Sequence, residues 1–79
     1  MTQREIESIQ FWLDITHRPI TVTENMLKVS VFRNKLIETL NADIEINNEA
    51  LRRQWNEKRL KCIHLMISIR DRLISDYAE

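Results

Sequence analysis

Cys62-Ile63-His64 is where side chains able to attack, bind a metal or carry a proton lie closest together. A thiol beside an imidazole can act as a nucleophile if the ring reaches the sulfur and takes its proton. On a helix that condition fails. Residues at i and i+2 point about 200° apart and share no face. Cys62 falls on the apolar side, where a free Cys behaves as a small hydrophobe. His64 falls opposite, toward water. A structural zinc site needs about four ligands, and Cys62, His17 and His64 do not supply them at suitable spacings. Glu5 and Glu7 have no second acidic pair facing them. Ser8, Ser30, Ser68 and Ser75 stand in helical contexts with no base nearby. With Gly 0 there is no glycine-rich loop to cradle a phosphate. The sequence therefore predicts a non-enzyme, with no catalytic, metal-binding or cofactor-binding residues.

One segment could do binding chemistry. Arg52, Arg53, Lys58, Arg59 and Lys61 crowd together, offset by Glu57, with Gln54, Trp55 and Asn56 among them. Cations for phosphates and amides for base edges are what a nucleic-acid helix presents. A major-groove helix, however, gathers its contacts on one exposed face. Here Arg52, Arg59 and Arg70 fall on one flank of an apolar stripe, Lys61 and Arg72 on the other, and Arg53 points away. Charges flanking an apolar seam are the pattern of helix–helix interfaces. Glu38, Asp43, Glu45 and Glu49 offer a counter-patch within or between chains. Binding of nucleic acid or another polyanion is the second reading of this segment.

The elements that must position these residues are helical. The chain has 79 residues, Gly 0 and Pro 1. Without Gly there is no low-cost residue for positive φ, which disfavours tight hairpins. The sequence predicts an all-α fold: a single domain over 1–79, with three helices at about 3–17, 24–41 and 48–78 packed as a helical bundle. Thr2-x-x-Glu5 is a capping box, and Pro19 ends the first helix. Ile6, Ile9, Trp12, Leu13 and Thr16 share one of its faces. Thr21 or Thr23 caps the second, whose stripe is Met26, Val29, Phe32, Leu36, Ile37 and Leu40. Asn41 to Asn47 reads as a loop. Leu51, Trp55, Cys62, Leu65, Met66, Ile69, Leu73 and Tyr77 form the main stripe of the third. Trp12 and Trp55 read as core anchors. Ile20–Val22 and Ile44–Ile46 also alternate as short strands would, but isolated two-stranded pairings are weak.

The third helix has no Gly or Pro from Asn48 to Tyr77. At 1.5 Å per residue it would be about 45 Å long. A compact chain of this size has a radius of gyration near ~12 Å, so such a helix would protrude. Eight apolar residues also miss the main stripes: Phe11, Ile15, Leu27, Val31, Leu60, Ile63, Ile67 and Ile74. Burying each is worth roughly 1.5–3 kcal/mol. A central third helix, flanked by the other two, would use them inside a monomer. The length of that helix favours a homodimer instead.

Twelve basic and twelve acidic side chains cancel, leaving no long-range pull toward nucleic acid or anionic membrane. No run is long and apolar enough to span a bilayer, and no apolar signal segment opens the chain. A single Cys fits a reducing, intracellular setting, cytoplasmic or nuclear. The expected function is protein–protein interaction, as an adaptor, regulatory subunit or inhibitor. The expected partners are the chain itself and another protein.

Overall fold

The computed structural model describes residues 1–78. It is all-helical, with α1 (Gln3–Ile15), α2 (Glu24–Leu27), α3 (Ser30–Arg53) and α4 (Glu57–Asp76), and no strand among the described residues. Ile44–Ile46 lies within α3, so the strand alternative does not hold.

Helix α1 opens on its capping box. The Thr2 N–H donates to the Glu5 carboxylate at 2.8 Å, and the Glu5 N–H donates to the Thr2 hydroxyl at 3.2 Å. Its C-terminal end lacks the usual Gly, and His17 takes the left-handed position at φ 57°. The Arg18 N–H then reaches the Leu13 carbonyl at 2.9 Å and the His17 N–H that of Asp14 at 3.1 Å. This is a Schellman closure. Gln10 ties the following connector down, donating to the Ile20 carbonyl and accepting from the Val22 N–H, both at 2.9 Å. Thr23, not Thr21, caps the short α2, accepting from the Met26 N–H at 3.3 Å.

The helix boundaries differ from the sequence expectation in three places, giving four helices and not three. The expected second helix is broken at Lys28–Val29, where Val29 turns extended, into α2 and α3. The second and third predicted helices also meet elsewhere: α3 runs unbroken through Asn41–Asn47, and the chain breaks at 54–56. The polar residues that read as a loop are instead the bonding groups of one helix to its neighbours. Asn41 accepts from Arg70 at 3.0 Å, and Asn47 from Arg59 at 2.8 Å. Asp43 accepts from Trp12 and Arg18. Low intrinsic helix propensity is overridden by these tertiary bonds. The break needs neither Gly nor Pro. Gln54 and Asn56 turn extended, and the Asn56 carboxamide accepts from the Arg59 N–H at 3.1 Å, capping α4.

The helix expected to protrude is thus shortened: its first residues, 48–53, extend α3, and the remainder forms the 20-residue α4, which packs back along α3 as a hairpin. Helix α3 has 24 residues, about 36 Å of rise, and matches the 38 Å long axis of the molecule. Helix α1 lies along the hairpin, antiparallel to α4: Glu5 near its start pairs with Arg72, and Ile15 at its end shares a hollow with Cys62. The core is a single cluster of Ile9, Trp12, Leu13, Leu27, Leu40 and Leu73, wholly buried, with Leu36, Ile44, Ile63, Met66 and Ile69 around them. Beyond Ile15 the hairpin continues without α1 beside it.

Candidate protein-interaction surfaces

The eight surplus apolar residues do not form one patch. Leu27 and Ile63 are core residues, 0% and 3% exposed. Ile63 is covered because α4 packs against both α1 and α3 and so uses both of its stripes inside one chain, and Leu27 because α2 packs on α3. Leu60 and Ile67 are half-buried, with Ile67 packed against the core. Phe11, Ile15, Val31 and Ile74 remain exposed.

These survivors lie on different elements. Phe11 and Ile15 sit one turn apart on the outer side of α1, at 54% and 42% exposure. Ile15 borders a hollow with Asn47, Cys62, Leu65 and Met66, so apolar surface continues from α1 onto α4. Val31 lines a separate hollow at the start of α3, with Val29, Phe32 and Lys35. Ile74 stands near the end of α4.

The basic segment is split by the break at 54–56. Arg52 and Arg53 lie at the end of α3 and bind Glu49 at 3.0 and 3.7 Å. Arg59 is drawn inward to Asn47. Lys58 and Lys61 are exposed, with no ion pair among the described residues. Trp55 does not anchor the core. The break removes it from the helical register that would have buried it, and it is 69% exposed. It borders a shallow hollow with Asn48, Leu51 and Arg52.

The thiol and imidazole lie as the helix geometry requires, with Cys62 half-buried and His64 exposed. Among the described residues no group of three or more His, Cys, Asp or Glu could hold a metal ion. No helix among the described residues is long and apolar enough to cross a membrane.

Two polar groupings escaped the sequence reading. Arg18 packs over the Trp12 ring, 5.4 Å from its centroid, while binding Asp43. Arg33 stacks on Tyr77 at 4.6 Å and donates to the Leu27 carbonyl at 2.8 Å, closing the opposite end of the bundle. Burial, with Glu24 nearby, pushes the Tyr77 phenol above its ordinary value near 10.0. Arg33 had one local signal, its place between Val29 and Ile37 in an otherwise apolar arc. The positions of Arg18 and Asp43, far apart in sequence, gave no local signal.

No family model, no curated protein sequence and no solved structure matches this chain.

Proposed function

We propose that this protein is a non-catalytic protein–protein interaction module that pairs with a second copy across the face shared by α1 and α4. The observation that carries this reading is the exposure of Ile15, adjoining half-buried Cys62 and Leu65, with exposed Phe11 one turn away on α1. A lone exposed apolar side chain needs no explanation, but contiguous apolar surface bordered by polar residues marks an interaction site. Helix α4 remains the element of self-association, through its α1-facing edge and not through a protruding length. A two-fold axis is the commonest way for one patch to cover itself. Sedimentation equilibrium of the wild-type chain beside a Phe11→Glu variant tests this. A dimer that the substitution dissociates supports the face.

A further inference from the structure

The end of the α3–α4 hairpin carries a second, chemically different surface. Trp55 stands there exposed, beside a hollow lined by Asn48, Leu51 and Arg52. Five cations and two carboxylates lie between Glu49 and Lys61. A chain that is neutral overall is therefore positive at this end. We infer that this tip docks an acidic, amphipathic helical segment of another protein, with an apolar side chain against Trp55 and Leu51 and carboxylates on the surrounding cations. This rests on the reading of the protein as an interaction module but uses a surface away from Phe11 and Ile15.

Three observations favour that occupant. Lys58 and Lys61 have no ion pair among the described residues. Glu49 is 52% exposed and its two Arg partners 77% and 79%. Such exposed pairs contribute little to stability, so an incoming carboxylate can replace Glu49 at little cost. Finally, Glu49 and Glu57 stand among the cations. They would repel a continuous run of phosphates, whereas a peptide can place an apolar residue or an amide opposite each. Trp and Arg are also the residue types enriched among the side chains that carry most of the energy of protein interfaces.

The test uses a fluorescently labelled synthetic helical peptide with Leu at i, i+3, i+4 and i+7 and Glu at the other positions. Binding to the full chain is followed by anisotropy. Trp55 emission is a second readout, since Trp12 is 0% exposed and insensitive to the tip. The expected result is a blue-shifted Trp55 and binding that weakens as salt rises. Trp55→Ala and the double variant Lys58→Glu, Lys61→Glu should each weaken it about tenfold, ~1.4 kcal/mol, with unchanged helicity because all three residues are exposed. Absence of binding, or binding indifferent to both variants, would overturn the proposal. So would equally tight binding of a single-stranded oligonucleotide of matched charge, which would mark a general polyanion site. Mass measured on the same samples separates the two readings: a dimer without peptide binding removes the tip proposal alone, and a monomer that binds peptide removes only the pairing of copies.

Discussion

Arg18 grips Asp43 with both ends of its guanidinium, at 2.8 and 3.1 Å. Asp43 also accepts the indole N–H of Trp12 at 3.0 Å. One carboxylate on α3 thus fixes both the buried Trp12 of α1 and the chain just after α1. The left-handed turn at His17 is what aims Arg18 at it. Two-pronged Arg–carboxylate pairs add direction as well as energy.

Removing Asp43 should therefore be costly. Asp43→Ala leaves a buried indole N–H and a guanidinium without their acceptor. Its expected cost is about 3 kcal/mol, typical of a broken, partly buried charge pair. Arg18→Gln should cost less, about 1 kcal/mol, because Arg18 is the more exposed partner at 32% against 13%. Urea denaturation followed by circular dichroism measures both. Equal, negligible losses would show that the pair does not hold α1 in place.

His17 should be improvable. A non-Gly residue in the left-handed region costs roughly 1–2 kcal/mol, and His17 pays that at φ 57°. His17→Gly relieves it but adds freedom to the unfolded chain. The expected net gain is about 0.5–1 kcal/mol, visible as a higher Tm in calorimetry. A lower Tm would mean that the imidazole makes a stabilising contact of its own.

The break between α3 and α4 depends on Asn56. Asn56→Ala removes the acceptor for the Arg59 N–H and should cost about 1 kcal/mol. Amide exchange should quicken first at the start of α4. Uniform exchange across the chain would argue that the turn is held by packing alone.

Acid should weaken the start of α1. Hydrogen bonds from the Thr2 backbone and hydroxyl, and then the nearby Arg72, hold the Glu5 carboxyl below its ordinary value near 4.5. A folded-state pKa below the unfolded one gives stability that is complete above the unfolded value and lost as pH falls through the folded one. Tyr77 behaves oppositely. Its raised pKa gives stability present below about 10 and lost as pH rises through the folded value. Denaturation midpoints measured from pH 6 downward should fall less steeply in Glu5→Gln than in the wild type. Identical slopes would dismiss the Glu5 contribution.

Much of the fold could be read from the sequence, for reasons that are local. The capping box of Thr2 and Glu5, the stop before Pro19 and the stripe of Ile6, Ile9, Trp12 and Leu13 all depend on neighbours within a turn or two. What could not be read depends on partners far away in sequence. Asn41, Asp43 and Asn47 have loop-like chemistry, and only Arg70, Arg18 and Arg59 make them helical bonding groups. Asn56 carried a usable signal, an N-cap residue followed by Glu57, but the unbroken periodicity around it masked that cap. That cap takes Trp55 out of the core register and gives residues 48–53 to α3, so α4 is shorter than the periodicity predicts, and its Leu60, Ile63 and Ile67 are wholly or partly covered within the chain. Phe11 kept its exposure because it lies on the far side of α1 from the core, and Ile15 because it lies at the rim of the hollow between α1 and α4.

Pairing through Phe11 and Ile15 is tested most directly by the solution mass of the wild-type chain, by sedimentation equilibrium at tens of micromolar and at two salt concentrations. The expected result is a dimer of the 9.6 kDa chain that persists at high salt, because apolar contacts are not screened, and that Phe11→Glu converts to monomer. A wild-type monomer at both salt concentrations would contradict it.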